Sequence, residues 1–126
     1  MFLTIKYRNK LMNPLQFYKC LADETRLKCM LLIAAQGELC VCELMEALSE
    51  QQPKVSRHLA QLRSCGLLTD RRQGQWVFYS INKALPTWVH TVLSDTLQHN
   101  TDFITDNLNE LEKMGNRPER AQSCCA

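Results

Sequence analysis

The sequence predicts a mainly α chain with one small β-hairpin. Three observations carry that reading: apolar residues recur at three- and four-residue spacing through residues 14–65, the period drops to two across residues 67–81, and helical spacing resumes after Pro86. With 126 residues, 45% hydrophobic and 22% charged, the chain suits one soluble unit with a real core. Its seven cysteines, at 20, 29, 40, 42, 65, 124 and 125, are an odd number and too sparse for a disulfide scaffold, so a reducing, cytoplasmic setting is expected. No stretch approaches the roughly 18 apolar residues of a membrane span. Lys6, Arg8 and Lys10 also interrupt any signal-peptide run.

The elements follow in order. Residues 1–12 read as an N-terminal extension, with Met12-Asn13-Pro14 equally fit to start a chain. Residues 13–112 form the folded body, and residues 113–126 a flexible, cysteine-bearing tail. Asn13 and Pro14 supply a cap and a first-turn proline for a short helix with Leu15 and Tyr18. Asp23 caps a second helix carrying Leu27, Met30, Leu31 and Ala34, closed by Gly37. A third occupies residues 41–48, with Leu44 and Leu48 inward. Pro53 opens a fourth, on which Val55, Leu59, Leu62 and Cys65 are apolar, and Gly66 stops it. Residues 67–72 and 75–81 then read as strands around a Gln73-Gly74 turn with glycine second. From Pro86 one long helix places Val89, Val92, Leu93, Leu97, Ile104, Leu108 and Leu111 on a single stripe, weakened at Asn100-Thr101. Cys29 and Cys65 fall on apolar faces and read as small core residues.

Two short helices joined by a tight turn, the second basic and followed by a basic hairpin, make a winged helix-turn-helix. Lys54, Arg57, Arg63, Arg71 and Arg72 against Asp70 give +4 over residues 51–76, whereas residues 86–112 carry −5 from Asp95, Asp102, Asp106, Glu110 and Glu112. An anionic polymer belongs at the basic end. On the fourth helix Lys54 and Arg57 are placed for phosphates, and Gln52, Ser56 and His58 for base edges or phosphate oxygens. Arg71, Arg72 and Gln73 form the wing tip, for the backbone or the adjacent minor groove. No histidine, carboxylate and nucleophile share a catalytic spacing, and there is no Gly-rich phosphate loop, so an enzyme is not expected.

The runs Leu21-Ala22-Asp23-Glu24-Thr25-Arg26-Leu27, Glu38-Leu39-Cys40-Val41-Cys42-Glu43-Leu44, Gln52-Pro53-Lys54-Val55-Ser56-Arg57-His58-Leu59 and Gly66-Leu67-Leu68 closely resemble the ArsR/SmtB family. The resemblance covers about residues 14–98, and the ELCVC segment is its most specific part. It implies a homodimer that needs no cofactor to bind a palindromic double-stranded operator, and that leaves the DNA when As(III) or Sb(III) binds.

Cys40 and Cys42 are the candidate metal ligands. Trivalent arsenic and antimony are thiophilic and favour three thiolates in a pyramid. Residues two apart diverge by about 200° on a regular helix, so gathering both sulfurs on one atom is expected to unwind the first turn of the third helix. The best-known members of the resembled subgroup carry a third cysteine three residues on, where this chain has Met45. The third donor therefore stays open among Cys124 or Cys125 from the tail, Cys20 or Cys29 from the first helices, or none, in which case methylarsenite fits two thiolates. Two alternative inputs keep the same fold: thiol oxidation at Cys40-Cys42 or Cys124-Cys125, and Zn(II) at His90, Asp95 and His99. The resembled family's zinc spacing is absent from the last of these.

Overall fold

The computed structural model describes residues 12–115; the expectations for residues 1–11 and for the tail with Cys124 and Cys125 lie outside the described residues. The elements are α1 (Pro14–Leu21), α2 (Glu24–Gln36), β1 (Glu38–Cys40), α3 (Val41–Leu48), α4 (Gln52–Ser64), β2 (Leu68–Gln73), β3 (Trp76–Ile81), α5 (Thr87–His99), a 3₁₀ turn (Thr101–Ile104) and α6 (Thr105–Lys113). This is a winged helix-turn-helix, mainly α with a small sheet.

Local chemistry sets the helix ends. The Asn13 side chain accepts the Gln16 N–H at 2.8 Å, and Pro14 follows where a missing N–H costs nothing. Asp23 accepts the Arg26 N–H at 3.0 Å in the same way. Gly37 closes α2 at φ +92°, a left-handed conformation that a side chain resists, and donates to the Ile33 carbonyl at 2.7 Å. Between these caps Cys29, Met30, Leu31, Leu32 and Ile33 are wholly buried, because α2 touches the other helices and the sheet on several sides. Leu39, Leu44, Leu59, Leu62, Leu67, Val89 and Ile104 complete the core around it.

The structure differs from the sequence reading in four places. Residues 38–40 form a third strand, and the sheet order is β1-β3-β2, all antiparallel. A three-residue strand is too short for alternation to reveal. The hairpin loop is Gly74-Gln75, since Gln73 pairs with Trp76; glycine therefore stands first, at φ +64°. The expected single C-terminal helix is two: Asn100 leaves helical geometry at φ −140°, its side chain caps the Thr96 carbonyl at 3.0 Å, and a 3₁₀ turn redirects the chain. That break lays α6 against α3, where Asn107 donates to the Ala47 carbonyl at 2.8 Å. Finally, Cys65 is not a simple core residue but is bonded to Cys20 of α1. Among the described residues no helix is long and apolar enough to cross a membrane.

Asp23 carries a pH dependence. The Arg26 N–H is the main cause that holds its carboxyl below the ordinary 3.8; desolvation opposes this, and the charges of His58 and Arg26 add to it. A depressed carboxylate contributes stability that is complete above its unfolded pKa and lost as pH falls through the folded value. Asp23→Asn keeps a cap but removes this acid response, so the drop in urea midpoint between neutral pH and about pH 2 is expected to shrink.

Candidate nucleic-acid interface and thiol pair

The turn between α3 and α4 is set by Ser49, whose backbone is left-handed at φ 54°. Helix α4 begins three residues later, at Gln52, with Pro53 in its first turn. Val55, Leu59 and Leu62 are wholly buried and fix the helix's rotation. Gln52 and Arg57 are therefore exposed, while Lys54 and Ser56 are half-buried beside them. This places four of the five predicted α4 contacts at the accessible N-terminal part of the helix.

His58 does not join them. It is 7% exposed, with Nε2 4.0 Å from the Asp23 carboxylate, so it faces the N-terminus of α2 and not the outer face expected for a base contact. The signal was present in the sequence, because position 58 lies three residues after Val55 and four before Leu62, on the inward stripe.

The cations of this region are less free than the arithmetic over residues 51–76 implies. Lys54 donates to Glu50 at 2.9 Å, Arg63 lies 3.4 Å from Asp70, and Arg71 grips Glu38 through Nε at 2.9 Å and a terminal nitrogen at 2.5 Å. Glu38 and Glu50 lie outside that sequence window and enter only by folding. Arg57 and Arg72 are exposed and have no ion-pair partner among the described residues. Gln73 accepts from Arg71 at 2.7 Å, so two of the three predicted wing residues are tied together.

Arg71 also stacks 4.8 Å above the Phe78 ring. Phe78 pairs with Arg71 of β2 on one side and with Cys40 of β1 on the other. One row across the sheet therefore runs from the buried thiol, through the aromatic ring, to the wing arginine. Glu38, two residues before Cys40 on the same strand, closes the loop by holding Arg71.

Cys40 ends β1 and is the N-cap of α3, with extended backbone at φ −93°, ψ 170°. The 200° divergence expected of a regular helix does not apply, because Cys40 stands before the first helical residue. Cys40 is buried against Phe78, and half-buried Cys42 and Trp76 pack on that same small cluster. Cys40's N–H donates to Glu43 Oε1 at 2.8 Å, within a capping box that roots the first turn of α3. Glu43 is wholly buried. On its other side Cys42 lines a cleft of about 600 Å³ together with Met45, Glu46, Lys113 and Met114. The end of α6 thus borders the second thiol.

Cys29 does not qualify as a further ligand: burial, aided by the negative charge of Asp23, pushes its thiol up to about 12, and it stays a protonated core group. Cys20 is occupied by Cys65. His90, Asp95 and His99 all lie on α5, yet among the described residues no three His, Cys, Asp or Glu side chains converge as a metal site.

Two outcomes follow from this geometry. Arg57→Ala and Arg72→Ala are each expected to weaken binding to any DNA duplex and to lower the salt slope of binding by about one, as read from affinity against salt concentration. Glu43→Ala removes the capping-box acceptor of the Cys40 N–H and should cost about 0.5–2 kcal/mol in urea unfolding.

Known proteins resemble this chain in sequence and in fold. The pattern of the arsR family of bacterial regulatory proteins matches residues 23–70. The arsenic resistance transcriptional regulator ArsR2 of Pseudomonas putida is 56% identical over 115 residues, covering 91% of this chain and 100% of that protein. The arsenical resistance operon repressor of Escherichia coli is 52% identical over 82 residues, covering 65% of this chain and 70% of that one. Among solved structures, the AntR antimony-specific transcriptional repressor superposes with a TM-score of 0.56 at 29% identity, over 68% of this chain and 74% of that chain.

Proposed function

We propose, for a chain that belongs to the ArsR family of bacterial regulatory proteins and within it to the arsenical-resistance transcriptional repressors, a specific switch: an empty homodimer holds operator DNA, and As(III) or Sb(III) captured by Cys40 and Cys42 releases it. The observation that carries this reading is the sheet row joining Cys40 to Arg71 through Phe78. A thiol that moves toward a metalloid pulls on the strand that positions the wing and on the cap that begins α3.

The reaction is a ligand exchange. Each of three thiols gives its proton to one hydroxyl of arsenous acid, three As–O bonds break, three As–S bonds form, and three waters leave. Cys40 and Cys42 supply two sulfurs, and Cys124 or Cys125 the third. Support comes from the cleft beside Cys42, which Met114 also lines, so the residue before Gly115 shares a cleft with the second thiol. The nine residues from Gly115 to Cys124 span up to about 30 Å when extended, ample for a return. Met45 borders the same cleft but has no proton to exchange and no charge to offer.

Capture draws Cys40 away from Phe78 and breaks its hydrogen bond to Glu43, loosening both the first turn of α3 and the row beneath Arg71. Helix α3 leads through Ser49 directly into α4, whose Gln52, Lys54, Ser56 and Arg57 face the major groove while Arg71, Arg72 and Gln73 hold the flank. Leu15, Tyr18, Trp88 and Phe103 are the large hydrophobic side chains left exposed among the described residues, and the partner copy covers them in the dimer. A two-fold dimer reads half-sites about 34 Å apart, so a small shift of each α4 spoils both halves together.

Arsenite titrated into the protein–operator complex under a thiol reductant is expected to release DNA; an arsenite-loaded protein that holds its operator unchanged would sink the proposal. Cys40→Ser and Cys42→Ser should retain operator binding and lose that response. Release that requires an oxidant and not arsenite would move the function to thiol oxidation. Removing both Cys124 and Cys125 should reduce the sulfur neighbours counted by arsenic X-ray absorption by one, and leave methylarsenite the better inducer.

A further inference from the structure

Apart from the interface and the Cys40–Cys42 pair, the molecule brings together a second pair of sulfurs. Cys20 on α1 and Cys65 at the C-cap of α4 are 45 residues apart in sequence, yet their Cα atoms lie 6.9 Å apart and their sulfurs are joined. They sit on the wall of an open cleft of about 510 Å³ whose rim carries Lys19, Arg26, Gln61 and Ser64. The surroundings fix both backbones. Arg26 Nε donates to the Cys20 carbonyl at 2.6 Å and another nitrogen donates to Gln61 Oε1 at 2.8 Å, while the Cys65 N–H donates to the Gln61 carbonyl at 2.9 Å. Two thiols held this way are ready for a bridging ligand with little further ordering.

We propose that the reduced Cys20–Cys65 pair is a separate binding site for monosubstituted trivalent arsenicals, R–As(OH)₂. Among the described residues no third metal donor converges on the pair. Two sulfurs complete the coordination of an arsenical whose third bond is already made to carbon, but leave inorganic arsenite one short of the three thiolates it favours, so this site prefers the monosubstituted arsenical. Each thiol passes its proton to one As–OH, two As–O bonds break, two As–S bonds form, and two waters leave. No electrons are transferred. The open cleft receives the organic substituent. The disulfide is the closed form of the site, and a thiol or phosphine reductant must open it before the arsenical enters. The ligand class follows from the function proposed above, but the site does not use Cys40 or Cys42.

The test is a full chain carrying Cys40→Ser, Cys42→Ser, Cys124→Ser and Cys125→Ser, reduced with a phosphine and titrated with phenylarsine oxide under native mass spectrometry. One phenylarsenic per chain is expected, stable to excess monothiol and removed by a dithiol. Adding Cys20→Ser or Cys65→Ser should weaken retention about a hundredfold or more, the loss of an intramolecular second bond. Oxidising the pair beforehand should block uptake. No adduct in the four-serine chain, or an adduct unchanged by Cys20→Ser, overturns the proposal. Should the four-serine chain fail to fold, Cys65→Ser alone is compared with the wild type: one fewer bound phenylarsenic supports the site, and an equal count overturns it. Because the main test lacks Cys40 and Cys42, its failure is distinct from failure of the arsenite switch.

Discussion

The pairing of Cys40, Phe78 and Arg71 across three adjacent strands is the constraint on which the remainder of the structure turns. Strand neighbours are held at fixed spacing by backbone hydrogen bonds. A displacement of the first therefore reaches the third without passing through flexible side chains. The same few residues serve two elements, since Cys40 ends a strand and caps a helix, and Glu43 holds that cap from the interior. A displacement of Cys40 thereby bears on both the wing and the helix pair.

Electrostatics refine this picture. Glu38, Glu50 and Asp70 occupy three of the five cations near the interface, leaving Arg57 and Arg72 without ion-pair partners among the described residues. Exposed ion pairs are weak, so phosphates can displace them; until then they hold side chains in defined positions. Arg71 is the clearest case. Fixed by Glu38 and by the ring of Phe78, it builds the wing as much as it offers charge.

The thiols divide by environment more than by sequence spacing. Cys29 is an inert core group, Cys20 and Cys65 are bonded to each other on the wall of a cleft, and Cys40 and Cys42 stand where a sheet becomes a helix. Residue type alone makes all five equivalent. Burial, partners and access separate them.

Local signals determined much of this protein. Asn13-Pro14, Asp23, Gly37 and Pro53 mark helix ends because caps and breakers act within a few residues, and the change of apolar period announces the hairpin. The quoted runs around ELCVC and QPKVSRHL were enough to place the family. Only the tertiary structure decided what depends on distant chain segments meeting. Strand β1 exists because β3 completes its hydrogen bonds, and His58 turns inward because Asp23 and the core stripe lie there. The charge of Arg71 in the wing is countered by a glutamate thirty-three residues away, and Cys65 acquires chemistry only when α1 brings Cys20 to it. Such outcomes are set by contacts between residues far apart in sequence, which no window along the chain contains.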